Sequence, residues 1–388
     1  MKNLRMFRRY STISIRTDLI VVCLTLLLFV VFAAENATAG TIVVTSTIQA
    51  AVDAANPGDK IYVPPGVYFE SVNVRTSNLT IQGSHGAVLD AGNRIGIRVG
   101  IGARTTVNGI RLCPAIGVTG FTLEGLTIRN ARFAAVFLIG VDGYTLAGTK
   151  YLDDPVYGPF PVCSHNGIIE SNHLTGGNNA PGSPDVGIDA GIYVGDSDGV
   201  IVRNNFVTNY AVGIEIENTS NVVVQNNNVK KNSGGIVLLV LPGLHNFATN
   251  NVLIERNQVL QNNLPNPVPF EGPTGDPLGN LPTGTGILNV GGDGVVIRNN
   301  KVIGNDSWGI TIAQNPFAVF DARIEPNPDN NQVYGNVALQ NGKIPDPVRA
   351  VTPGADIVYD GTGVGTCFGR NVFRTDFPTG ITGFFACP

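Results

Sequence analysis

The sequence predicts an all-β solenoid, a chain wound as a parallel β-helix whose short strands stack coil upon coil. Three observations carry this. First, the glycine-led segments GIYVG at Gly191, GIEIE at Gly213 and GIVLL at Gly235 recur every 22 residues. Second, an Asn-x-Val signature follows each of them, about fourteen residues on or later where chain is inserted. It appears as Asn205 with Val207, Asn227 with Val229, Asn257 with Val259, Asn300 with Val302 and, varied, Asn336 with Ala338; GPFPV at Gly158 leads to Asn172 and Leu174 in the same way. Third, apolar residues alternate within the units, as in Ile214 and Ile216, which is the period of a strand and not of a helix. Units this small cannot bury an apolar face alone, so they must stack. Position-matched asparagines then form ladders that bond the coils above and below, and their turns need residues that tolerate left-handed backbone.

Composition agrees. With 43% hydrophobic and 14% charged residues, and 48 glycines in 388 residues, the chain is neither disordered nor a coiled coil, and its glycines lack collagen's period of three.

Taken from the start, Lys2, Arg5, Arg8, Arg9 and Arg16 precede an apolar run from Leu19 to Ala34, and Ala37-Thr38-Ala39 supplies small residues. This reads as a secretory signal over residues 1–39, cleaved before Gly40, because the run is short for a spanning helix. The mature chain then holds 20 basic and 27 acidic residues, with no basic stripe to neutralise phosphates, so nucleic acid is excluded as a partner. No membrane association is expected after cleavage. Four cysteines remain, Cys113, Cys163, Cys367 and Cys387, without metal-ligand spacing. An even number in an exported chain points to two disulfides. Three pairings are possible; Cys113 with Cys163 and Cys367 with Cys387 is the expected one.

Next comes an N-terminal cap. Ser46 and Gln49 read as a capping box, Ile48, Ala51, Val52 and Ala55 share one helical face, and Asn56-Pro57-Gly58 ends the helix. Strand-like segments follow at Lys60 to Val63, Val67 to Val74, Leu79 to Gly83 and Phe121 to Arg129. Long insertions are expected at Val141 to Val156, Leu239 to Asn250, Asn263 to Thr285 and Asn315 to Asp329; in solenoids these emerge on one face and build binding surfaces. The β-helix domain is placed at 40–342. Residues 343–388 lose the repeat and are expected to form a C-terminal cap or tail, covering strand edges that would otherwise aggregate. Asn36, Asn78, Asn218 and Asn305 begin Asn-x-Ser/Thr sequons.

The run IQAAVDAANPGDKIYVPPGVYFESVNV, followed by LTIQG, resembles the opening of many right-handed parallel β-helix proteins of the pectate-lyase-like superfamily. GIDAGIYVG, GIEIENTSNVVVQNN, GGIVLLVLPGL and LPTGTGI are closest to a subgroup of exported β-helix repeat proteins. The resemblance spans nearly the whole mature chain and implies a single-stranded right-handed parallel β-helix with an N-terminal capping helix and long loop insertions. That superfamily contains polysaccharide lyases, glycoside hydrolases, uronate epimerases, binding proteins and nitrous-oxide-reductase maturation factors. The DPHE motif of mannuronan epimerases is absent, as are the NTD and GHG motifs of polygalacturonases and the RxPxxR motif of pectate lyases. No activity transfers residue by residue, and fold alone does not supply one.

Setting the coils in register predicts an outward column of Phe160, Tyr193, Glu215, Val237, Leu288 and Thr311. Two residues on, a second column reads Val162, Gly195, Glu217, Leu239, Val290 and Ala313. The candidate catalytic residues are therefore Glu215, Glu217, Asp189 and Tyr193. Glu215 and Glu217 have Cα atoms about 7 Å apart on one strand, within the roughly 6.5 to 9.5 Å range over which inverting glycosidases separate two carboxyl groups. One would protonate a leaving oxygen and the other activate water, with Asp189 orienting either. In a lyase or epimerase, Tyr193 would instead move the proton. Phe160, Tyr193, Arg203 and Lys230 are the candidate substrate-binding residues. The plain alternative makes Glu215 and Glu217 solvated side chains, but Val237 and Leu239 on the next rung suit a covered or occupied surface. His165 and the GDSDG turn at Gly195 read as structural, and Trp308, the sole tryptophan, either stacks on sugar or plugs a coil end.

Two functions are carried forward. The first is a secreted or periplasmic polysaccharide hydrolase, lyase or uronate epimerase; the second is a non-catalytic scaffold binding a cell-envelope glycan or a protein. No cofactor or metal is expected, metal delivery being disfavoured by two Met residues and the lack of a His or Cys cluster. A monomer is expected.

Overall fold

The computed structural model describes residues 39–388 except 155, 178–185 and 273; the leader over residues 1–39 therefore lies almost wholly outside the described residues. Each coil visits three sheets in turn, and every sheet pairs its strands in parallel with the coils before and after. Sheet 1 runs from Thr41–Val43 to Cys367–Gly369, sheet 2 from Gly66–Phe69 to Val337–Leu339, and sheet 3 from Val72–Val74 to Asp376–Phe377. Inward Val, Ile and Leu from all three fill one continuous apolar core. Each coil sits about 4.8 Å from the next, so this core has the length of the stack.

The repeated glycine has a steric cause. A Cβ on Gly191, Gly213, Gly235 or Gly286 would lie 2.3 to 3.0 Å from the carbonyl oxygen of the matching glycine one coil on. Only glycine lets the coils close at that corner. The asparagines form two ladders. In the first, the backbone N–H and side-chain amide of Asn205 both donate to Asn227 Oδ1 at 3.0 Å, and the pattern continues through Asn257, Asn300, Asn336 and Asn371. In the second, Asn232, Asn262, Asn305 and Asn341 end on Asp356. The left-handed backbone falls one residue before each first-ladder asparagine, at Asn204, Asn226, Arg256 and Asn299, so turn conformation and ladder bonding are divided between neighbours. Asn218 and Asn305, which open two of the sequons, are buried.

Some local readings change. The helix Ile48–Asp53 is capped by Thr47, whose hydroxyl accepts from Ala50 N–H at 3.0 Å. Gln49, expected in a capping box with Ser46, instead reaches forward to the next coil, accepting from Asn73 N–H. The helix still buries Ile48, Ala51 and Val52 on the open end of the core. Residues Val141 to Val156 are no insertion: Val141–Ala147 and Lys150–Asp154 are ordinary rungs of sheets 1 and 2. An unexpected insertion lies earlier, where Thr105–Val107 and Ile110–Leu112 form an antiparallel hairpin. Both expected disulfides form, Cys113 with Cys163 and Cys367 with Cys387. Beyond residue 342 the strands Ala355–Tyr359, Cys367–Gly369 and Asp376–Phe377 extend the stack, and Ile381 of the short helix Ile381–Phe384 is buried at its end.

Candidate active site

Sheet 3 presents its outer face beneath the insertions. Tyr193 pairs with Glu215, Glu215 with Val237, Val237 with Leu288, and Leu288 with Thr311; Gly195 pairs with Glu217 and Glu217 with Leu239. Both outward columns therefore stand as the repeat sets them. They do not face open solvent. The hairpin after Ile101, the loop after Leu239, the loop around Asp276 and the turn Pro316–Phe320 fold partly over them and leave a half-open cavity of about 760 Å³. That size suits a small-molecule or oligomer-unit site.

Among the described residues, four carboxyl groups line this cavity: Asp189, Glu215, Glu217 and Asp276. Glu217 accepts a hydrogen bond from the Tyr193 phenol at 2.5 Å, and Asp189 accepts one from the Tyr157 phenol at 2.5 Å. Tyr193 reaches Glu217 because it lies across Gly195, where a Cβ would come within 2.3 Å of its hydroxyl oxygen. Asp189 sits within the strand Gly187–Gly195, at a register shift between Gly187 and Ala190, and not on a preceding turn. One Glu215 oxygen, Oε2, is buried without a hydrogen-bond partner among the described residues.

Enclosure sets the protonation of these groups. Burial, reinforced by the neighbouring Asp189, Glu217 and Asp276 charges, pushes Glu215 well above the usual carboxylate range. Burial also raises Glu217 to about 7, opposed by the Tyr193 hydrogen bond and by Arg104 and Arg111. Asp189 is likewise raised by burial to about 7, against the Tyr157 hydrogen bond. Such a cluster titrates as a unit and retains protons at neutral pH. Tyr193 is itself held protonated by burial and by the two glutamates.

An aromatic wall adjoins the acids. Tyr157 stacks on Phe160 at 4.2 Å, and Phe160 lies 4.5 Å from Tyr193 and 5.2 Å from Phe133. Tyr193 is enclosed, whereas Phe133 is 40% exposed and Phe160 half-buried. The ring surface open to a ligand is thus that of Phe133, Phe160 and Tyr157, the last also half-buried.

Two expected binding residues lie elsewhere. Arg203 is on sheet 1 in an ion pair with Glu170, and Lys230 is on sheet 2 over the Phe206 ring. The cavity's cations are Arg104 and Arg111, brought by the hairpin. Arg104 pairs with the buried Asp196 at 2.5 Å, so the GDSDG turn is an anchor for the hairpin. Cys113, Cys163 and Asp196 come close enough to share a metal, but the two sulfurs are joined to each other and supply no thiolate. The hairpin also pairs with the roof loop through Arg111 and Leu244. The expected Cys113–Cys163 bridge was the one signal in the sequence that this segment reaches the site. Asp276 lies in the expected insertion Asn263 to Thr285, whereas Tyr157, just before GPFPV, carried no signal of its own.

The model of the family described as "Right handed beta helix region" matches residues 65–241 and, overlapping, 115–372. The chain belongs to this family. Among solved structures, this right-handed β-helix protein is similar to the A-module of the mannuronan C-5 epimerase AlgE4 of Azotobacter vinelandii. Identity is 13% and the TM-score 0.53, over 84% of this chain and 92% of that one. It is also similar to PfbA, a surface adhesin of Streptococcus pneumoniae, at 13% identity and TM-score 0.47 over 85% and 87% of the chains. A DFA-IIIase from Arthrobacter chlorophenolicus A6 matches at 16% identity and TM-score 0.43, over 84% and 92%. At these identities the likeness is one of fold. No curated protein matches the sequence.

Proposed function

We propose that the protein is an exported glycan hydrolase that cleaves glycosidic bonds by paired-carboxyl acid–base catalysis. The observation that carries this reading is the placement of Glu215 and Glu217 side by side in an aromatic-walled cavity with differing protonation. Glu215, held protonated, is the general acid. Its proton goes to the glycosidic oxygen as the bond from that oxygen to the anomeric carbon breaks. Glu217 ionises near neutrality and takes a proton from the water that attacks the anomeric carbon from the opposite face. The products are a sugar of inverted configuration and an alcohol, and the two carboxyls exchange their protons with solvent to reset. Groups whose surroundings drive their ionisation apart are the general means of running acid and base chemistry at one pH. Phe160 and Phe133 offer an apolar platform, and Tyr157 fixes Asp189 beside the reacting centre.

The lyase and epimerase readings lose support. Tyr193 would have to give up a proton that its surroundings hold tightly; of the two cavity cations, Arg104 is committed to Asp196, which leaves Arg111 alone to meet a uronate. Export is supported by two disulfides, which persist in oxidising compartments.

The test is to incubate the mature chain with a panel of neutral and acidic polysaccharides and follow reducing ends, unsaturated uronates and the anomeric configuration of first products. Reducing ends of inverted configuration, lost in Glu215→Gln and in Glu217→Gln, are expected. Saturable glycan binding with no product would establish the second reading, a binding scaffold. Turnover unchanged in both variants would remove these residues from the reaction.

A further inference from the structure

A second cavity, of about 460 Å³, opens on the same face of sheet 3 further along the stack. Its character is different. Val237, Leu288, Val290, Phe270 and Trp308 make its walls apolar, where the first cavity is acidic. The two share a partition of Leu239, Pro277, Leu278 and Phe317. Val237, on one side, is paired with Glu215 on the other, so the apolar space begins one rung, about 5 Å, from the proposed acid and reaches Thr311 at roughly 14 Å.

Three polar groups in this wall lack partners among the described residues: the Trp308 indole N–H, the Thr311 hydroxyl and the Thr352 hydroxyl. Trp308 and Thr311 are both buried. A buried donor left unpaired costs about 1 to 3 kcal/mol, and this mostly apolar wall carries two of them on one strand, Trp308–Ala313. By contrast, each nitrogen of the Arg349 guanidinium at the rim already donates, to Asp346 or to the carbonyls of Gly279 and Val268. An anionic ligand therefore finds no unpaired cation among the described residues there, and the carboxylate at the rim, Asp360, already accepts from Gln314 and Thr362, whereas an apolar group bearing a neutral acceptor finds both surface and donors.

We infer that this second cavity binds an ester-linked apolar acyl group carried by the same glycan whose backbone occupies the acidic cavity. The inference rests on the hydrolase reading of that cavity. It makes the protein selective for acylated polysaccharide, the ester carbonyl accepting from Trp308 or Thr311 and the hydrocarbon part displacing water from Leu288 and Val290.

Because Trp308 is the only tryptophan, its fluorescence reports this cavity alone. Methyl benzoate, an apolar ester with a neutral acceptor, should shift Trp308 emission saturably. Ala313→Leu, which narrows the cavity from its rim, should weaken that response at least tenfold. Thr311→Val should weaken methyl benzoate several-fold and leave toluene, which has no acceptor, unchanged. Any polysaccharide that is cleaved should then be compared before and after mild alkaline de-esterification, with at least a fivefold higher kcat/KM expected for the acylated polymer. Absence of a saturable emission change, an unchanged response in Ala313→Leu, or equal kcat/KM on both polymers would overturn the inference. A saturable response with no polymer cleaved would instead sink the hydrolase reading, and cleavage without a response would sink only the acyl site.

Discussion

Replacing Glu217 by Gln should make the protein more stable at neutral pH while removing its activity. Glu217 has an ordinary value of 4.5 and is raised by burial to about 7 in the folded chain. Between those pH values the unfolded chain binds fewer protons than the folded one, so stability falls as pH rises through this window and levels off above it. The loss amounts to about 3 kcal/mol at pH 8 for this one group. Gln keeps the oxygen that accepts from the Tyr193 phenol and carries no charge at any pH. The variant should therefore match the parent at pH 4 and exceed it by up to about 3 kcal/mol at pH 8, read as a raised urea midpoint with an unchanged slope. The Glu217 charge also raises Asp189 and Glu215, so its removal lets both ionise at lower pH and part of the gain is shared among the three. A variant no more stable than the parent at pH 8, or stabilised equally at both pH values, would refute the picture of a charge held in place against its own solvation.

Other perturbations reach different levels of the structure. Gly195→Ala should push the Tyr193 ring off its shelf, since the new Cβ would lie 2.3 Å from the hydroxyl oxygen. Losing the Tyr193 donor raises Glu217, the base, so the ascending acid-side limb of the pH–rate profile should move to higher pH and kcat should fall at least tenfold. Asn257→Ala strips an acceptor from the backbone and amide donors of Asn227, and a donor from Asn300 and the Val224 carbonyl; urea unfolding should show a loss of about 3 kcal/mol or more. The paired change Cys113→Ser with Cys163→Ser opens a closure across 50 residues and should cost about 4 kcal/mol. Hydrogen exchange should rise first in the hairpin that bears Arg111; uniform loss of protection along all coils would contradict its role as a tethered roof.

Periodic features carried most of the information in the sequence. The glycines and asparagines recur because every coil meets an identical copy of the same contact, and the register they define places Phe160, Tyr193, Glu215 and Glu217 on one face without reference to any loop. The disulfide pairing was an expectation among three that the sequence left open, and the fold decides it by bringing Cys113 to Cys163 and Cys367 to Cys387. What the sequence left open were the aperiodic parts. Arg203 and Lys230 share coils with the acids, yet each coil turns two corners between sheets, and those corners send them to other faces. Val141 to Val156 looked inserted because its rungs lack the Asn-x-Val signature, although their inward residues pack like any others. The hairpin that supplies Arg104 and Arg111 has no repeat to announce it, and Asp276 joins the cavity only because its insertion folds back over sheet 3, where Tyr157 stands on the strand Tyr157–Val162. Strand pairing between coils is local and repeats itself, so sequence alone determined the scaffold and its outward columns. The roof, the enclosed charges and the ionisation they impose arise from contacts between segments far apart in the chain, which only the tertiary structure decided.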